Sequence, residues 1–274
     1  MSNPGRAKAV VHKLVFELRY EYGFEYFDRA GATINEILRD SPGWVQDSIN
    51  PQQGILRHVD NEATFSFNAQ KLYLSQQQSE KIAEVMPIED FAKTAERLTD
   101  IVRRQLQLGV TEQDFTRIGF RVWHLFEQRS LEDAKQSIKN LGFVSNDRFT
   151  TLADVQSVDE ISLSAVVDRP TCRTRIAIAA VEQNIALDPA TRKEALQTPH
   201  AFPTGQKERL VEKIKAKRRV QRYPQFAVLI DMDHSIEDPV YPAHLNIASD
   251  FIVPNYEWGE KAAVALVHGA AKGA

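Results

Sequence analysis

Asp231 and Asp233 stand two residues apart at the end of the apolar run Ala227-Val228-Leu229-Ile230, and His234 follows directly. In a strand, alternation places both carboxylates on one side of the sheet, as paired oxygen ligands for a divalent cation require. With His234 they form the candidate metal site. The competing reading is a polar end to an apolar strand. Seven histidines (His12, His58, His124, His200, His234, His244 and His268) never recur at the His-x-x-x-His spacing that puts two ligands on one helix face. His124 falls on the apolar side of its strand and is expected to be a hydrogen-bonded core histidine. The single cysteine, Cys172, follows a turn and is expected to lead an exposed strand face, with no helix N-terminus or base placed to activate it. The sequence contains no Gly-rich phosphate loop, no Gly-x-Ser-x-Gly elbow and no kinase signature. A cofactor is therefore not expected, and binding is favoured over catalysis.

The strongest charge signal lies elsewhere. Lys207, Arg209, Lys213, Lys215, Lys217, Arg218, Arg219 and Arg222 face only Glu208 and Glu212 in a predicted helix, on a chain whose formal net charge is −3. Such an element can contact phosphates or an acidic protein surface. It can equally be a solvated helix with Leu210, Val211 and Ile214 packed inward. Both readings stay open. A second dense feature, Tyr20, Tyr22, Phe24, Tyr26 and Phe27, reads either as a stacking platform or as core packing at a strand-to-helix junction.

These residues depend on a framework that periodicity makes legible. Leu14, Phe16, Leu18, Tyr20 and Tyr22 alternate with Glu17, Arg19 and Glu21 as a half-buried strand. The spacing then becomes helical through Phe27, Ala30, Ile34 and Ile37, and Ser41-Pro42-Gly43 ends that helix. Short strands are expected near 55–59, 63–69 and 72–74, with Asp60-Asn61 as a hairpin turn. Pro87 opens a helix along Ile88, Phe91, Ala95, Leu98, Val102 and Leu106, which Gly109 stops.

The order then recurs. Ile118, Phe120, Val122, His124 and Phe126 alternate as a strand, and Leu131, Ala134, Ile138 and Leu141 make a helical stripe closed by Gly142. Leu14 and Ile118, Phe16 and Phe120, Ile34 and Ile138, and Ile37 and Leu141 share one offset of 104 residues (118 − 14) without a gap. That register points to internal duplication. Further strands are expected near 160–167, 173–181 and 226–232, with Asp168-Arg169-Pro170-Thr171 as a turn. A final helix is expected near 256–267. The expected fold is α+β, a tandem duplication of a strand–helix–three antiparallel strands–helix unit with the helices on one face of the sheets. The first repeat spans 1–110 and the second 111–274. The second carries a basic insertion at about 184–224, marked by Pro189, Pro199, Pro203 and Gly205.

Composition narrows the setting. The chain has 274 residues, 43% hydrophobic and 26% charged, which is ordinary globular composition. One cysteine rules out an internal disulfide framework and fits a reducing compartment. No apolar run approaches the roughly 18–20 residues that span a bilayer. Met1 to Lys8 lead straight into a strand and not into a signal-peptide core. A cytoplasmic protein without membrane contact is expected.

The order of elements, twice over, resembles the saddle of the TATA-binding-protein-like fold, although the wedge phenylalanines and cationic saddle needed for DNA bending are missing. The run 227–233 resembles the nucleophile strand of haloacid-dehalogenase-type phosphotransferases. That family places the strand near the start of its fold, with a lysine and further acids downstream, and residues 234–274 hold no such pattern. The strands Leu14-Val15-Phe16-Glu17-Leu18-Arg19-Tyr20, Arg117-Ile118-Gly119-Phe120-Arg121 and Leu229-Ile230-Asp231-Met232-Asp233 are similar to those of a sporadically distributed set of uncharacterised bacterial proteins. That resemblance implies mobile defence or toxin–antitoxin cargo. A non-catalytic antitoxin, immunity or accessory subunit with a protein partner is expected, with self-association also open. Nucleic-acid binding through 207–222 and metal-dependent hydrolysis through Asp231 and Asp233 are the alternatives.

Overall fold

The computed structural model describes residues 9–21, 23–79, 82–108, 115–143, 161–182, 224–237 and 246–269. The predicted basic helix 207–222, with Lys207, Arg209, Lys213, Lys215, Lys217, Arg218, Arg219 and Arg222, lies outside these residues.

The opening alternation forms β1 (Ala9–Tyr20), which buries Leu14, Phe16, Leu18 and Tyr20. A 3-10 turn at Gly23–Glu25 leads into α1 (Tyr26–Asp40). Four strands follow: β2 (Trp44–Ile49), β3 (Gly54–His58), β4 (Thr64–Phe67) and β5 (Lys71–Gln77). Helix α2 (Ile88–Gln105) starts after Pro87 and buries every residue of its predicted stripe. The second half runs β6 (Phe115–Gln128), α3 (Leu131–Lys139), β7 (Leu163–Asp168), β8 (Arg173–Glu182) and β9 (Phe226–Glu237). A π-helical turn at Ile247–Ile252 then feeds α4 (Val253–Gly269).

All described strands join one antiparallel nine-stranded sheet in the order β2-β3-β4-β5-β1-β6-β9-β8-β7. β1 and β6 form its centre, where Leu14 pairs with Val122, Phe16 with Phe120 and Leu18 with Ile118. From Leu14 in β1 and from Ile118 in β6, the even-numbered side chains pack with apolar residues of the helices in one core, and before the register shift between Val11 and Lys13 the parity of β1 is reversed. Phe16, Phe65, Phe91, Phe120, Phe126 and Phe251 lie fully buried in it.

Several expectations are corrected. The first half carries four strands after its helix, not three. β2 escapes periodicity because only Trp44 is buried along it, so its hydrophobic pattern does not alternate. Gly43 makes the turn into β2 at φ +91°, and a Cβ there would meet His58 Nε2 at 2.5 Å. Trp44 packs edge-on against His58 across that turn. Phe27, read as a core residue of α1, is 62% exposed, and Tyr26 and Thr33 take the buried side of the helix instead.

Candidate binding face

Residues of opposite parity point away from this core and define the outer face of the sheet. At its centre β1 contributes Lys13, Glu17 and Arg19, β5 contributes Lys71, and β6 contributes Arg117, Arg121 and Trp123. Asp231 and Asp233 come from β9, and Arg173 and Arg175 from β8. Alternation does place Asp231 and Asp233 on one side, as expected. It sends His234 to the other, where the residue is buried.

Both carboxylates are occupied by arginine. Arg117 Nη2 donates to both oxygens of Asp233, at 2.9 and 3.0 Å, and its Nη1 donates to Glu17 Oε1 at 2.8 Å. One guanidinium thus ties β1, β6 and β9 together. Arg121 grips Asp231 through Nε at 2.7 Å and through Nη2. Such charge-assisted pairs satisfy the carboxylates that a metal would otherwise need. Among the described residues, no group of three or more His, Cys, Asp or Glu side chains is arranged to hold a metal ion.

Gly119 explains how Arg117 lies flat across the sheet. A Cβ at this position would approach Arg117 Nη1 to 2.4 Å and Cζ to 2.9 Å. Ordinarily, Gly→Ala within a strand gains roughly 0.5–1 kcal/mol. Here Gly119→Ala should instead destabilise by about 1–2 kcal/mol, because the displaced guanidinium leaves Glu17 and Asp233 poorly paired. In an Arg117→Met background the same substitution should be neutral or stabilising, and denaturant midpoints of the four proteins in that cycle will show it.

Positive charge remains in excess around this bridge. Glu17 is shared by Arg117, by Arg19 Nε at 2.8 Å and by Lys71 Nζ at 3.8 Å. Arg19 and Arg175 are exposed, and Arg175 stands across from Asp233 in the ladder. Trp123 carries Lys13 Nζ at 4.7 Å and Arg121 Cζ at 5.5 Å over its ring, and His12 stacks against it. The Lys13 ammonium is held below its ordinary pKa, first by burial and then by Arg121.

The aromatic run divides. Tyr20 and Tyr26 are core residues whose hydroxyls donate to Asn68 O and Asn50 O. Phe24 and Phe27 are exposed and line an open cleft of about 590 Å³ with Arg19 and Gln70. Tyr22 lies outside the described residues.

A buried polar cluster under α4 was missed in the sequence. Cys172 is 6% exposed, contrary to expectation, because it shares the inward parity of Thr174. Its Sγ donates to Asn255 Oδ1 at 3.2 Å, and the same oxygen accepts from Arg169 Nη1 at 2.8 Å. Thr174 Oγ1 and His234 Nδ1 share a hydrogen bond of 2.9 Å, and Arg169 stacks over Trp258 at 4.0 Å. His124 is buried as expected, but neither of its nitrogens has a hydrogen-bond partner among the described residues. The parity of Thr174 and the Arg169-Pro170 turn were the available signals, and the contribution of Asn255 from a distant helix had none.

Comparison with protein-family models, with curated proteins and with solved structures yields no match. Among the described residues, no helix is long and apolar enough to cross a membrane. The functional reading therefore rests on the geometry of the outer face.

Proposed function

We propose that this is a non-catalytic binding protein that engages an acidic protein surface through the outer face of its sheet, assisted by the segment 184–224. In keeping with the resemblance noted above, its role would be that of an antitoxin, immunity or accessory subunit of a bacterial defence system. The observation that carries the reading is the Arg117 bridge over Gly119. The bridge ties three strands together and also fixes the side chains of the face in one arrangement. A face that binds gains from it, because side chains ordered beforehand lose less entropy on association. Arginines beside Trp123 are also the residue types that dominate protein interfaces, and the excess positive charge selects an acidic counterpart.

A finer architecture goes with this proposal: two copies of one ancestral unit, arranged as in the saddle fold the sequence resembles, with all helices on one face. Support comes from the centre of the sheet. Phe16 and Phe120 are counterparts at the offset of 104 (120 − 16), and they pair with each other. Leu14 pairs with Val122, the counterpart of Leu18, while Leu18 pairs with Ile118, the counterpart of Leu14. A two-fold axis between β1 and β6 has this signature.

The test is affinity purification of the tagged chain from its native host, in parallel with Arg19→Ala/Arg175→Ala and with Lys93→Ala at an exposed position of α2. Recovery of a stoichiometric protein partner is expected to fall at least tenfold for the sheet-face double variant, the scale of a single interface hot spot, and to persist for Lys93→Ala. Equal recovery by all three proteins would remove the face from consideration. A nucleic-acid absorbance signature without a protein partner would transfer the weight to the run 207–222.

A further inference from the structure

The two edges of the sheet are built differently. β2 closes one edge with Asp47 in its middle and a register break between Gln46 and Ser48. A charge and a bulge are the usual devices that stop one sheet edge from pairing with another. β7 closes the other edge without a bulge, and its one charge, Asp168, stands at its last position. Its ladder to β8 runs unbroken from Leu163 to Asp168, and Leu163-Ser164-Ala165-Val166-Val167 carries no charge. Val166 and Val167 are 52% and 38% exposed.

We propose that β7 pairs antiparallel with β7 of a second copy of this chain, joining two sheets into one about a two-fold axis. The edge is complementary to itself. Centred on Ala165, the pairing sets Leu163 opposite Val167 and Ser164 opposite Val166, and Asp168 opposite Ser162, so no like charges meet. Leu163 and Val167 share the inward parity of Ile178 and Thr174, so the two copies extend one apolar stripe. Arg175 of each copy lies on β8, and three strand spacings of about 4.8 Å separate the two guanidinium rows, beyond the screening length of about 10 Å. A second copy therefore meets no repulsion that would need a dedicated counter-charge. A pairing of seven residues from each strand buries less than the roughly 1,200 Å² of a stable interface, so association should be weak and concentration-dependent.

Sedimentation equilibrium of the full chain, over about two decades of concentration, reads this directly. The average mass is expected to climb from 31.1 kDa towards twice that value. Val166→Lys should hold it at the monomer, while Val45→Lys on the opposite edge should leave association as in the native chain. Both sites are exposed, and unchanged thermal melting confirms that the variants fold. A native chain that stays monomeric throughout would overturn the proposal. So would a Val166→Lys variant that associates as the native chain does.

Discussion

Lowering the pH from 7 to 5 is expected to cost the fold roughly 4 kcal/mol through two histidines alone, about 2 kcal/mol from each. His124 is driven down to about 4 by burial. His234 is driven down to about 3 by burial first, then by the charge of Arg169 and by His124. Facing groups offer little relief. His234 meets Thr174, Arg169, Phe120 and Trp258, and His124 meets Tyr256, with no carboxylate in either set. In the folded protein both rings therefore stay neutral through mild acid, whereas in the unfolded chain they take up protons below about 6.5. The unfolded state binds more protons in that window, so stability falls with falling pH. The loss levels off only as pH passes through about 4 for His124 and about 3 for His234. His12, also lowered by burial, acts in the same direction. Urea unfolding at pH 7 and pH 5 measures the effect. His124→Leu, which removes nitrogens that have no described partner, should recover about half of the acid loss. A pH dependence unchanged in that variant would refute the assignment.

Phe120→Ala is expected to destabilise the protein by about 3–5 kcal/mol, the range for a large aromatic removed from a packed core. Phe120 is fully buried in β6, pairs with Phe16, lies parallel to His234 at 6.1 Å and touches Phe91 of α2 at 6.3 Å. No single neighbour can move in to fill the space, because the neighbours belong to two different strands and a helix. Phe27→Ala, at an exposed site, should change stability by less than about 0.5 kcal/mol. Since β1 and β6 link the two halves by one unbroken sheet, Phe120→Ala should also lower the midpoint of both halves together. A first transition that leaves tryptophan signals from Trp44 unchanged would contradict that coupling.

Much of this architecture was legible, and the reasons differ by element. The first part of β9 announced itself because its run Ala227-Val228-Leu229-Ile230 is apolar throughout. β1, β6 and α2 announced themselves because one side of each is largely apolar and the other largely polar. Such elements write their period into the sequence. β2 did not, since an edge strand with only Trp44 buried has no second face to declare. The Asp231 and Asp233 pair was located correctly on one side of its strand, but its arginine partners come from 110 and 116 residues away. No local pattern encodes a contact of that span. Gly119 was visible only as a gap in the alternation of β6, and its purpose appears once Arg117 is laid across it. Cys172 and Phe27 were misplaced for one reason: each lies at an element end, where a shift of one position turns a side chain inward or outward.

The central position of β1 also sets an order of events during synthesis. β1 precedes β6 in the chain by two helices and four strands, so one of its two hydrogen-bonding edges is completed only by β6, which leaves the ribosome after α2. At roughly 5–20 residues per second, that edge stays open for several seconds in every nascent chain. Throughout this interval Leu14, Phe16 and Leu18 lie beside an unfilled strand position. A chaperone that shields extended apolar segments has its natural substrate there, and a message truncated after α2 would yield a product that aggregates through the edge its missing half was meant to close.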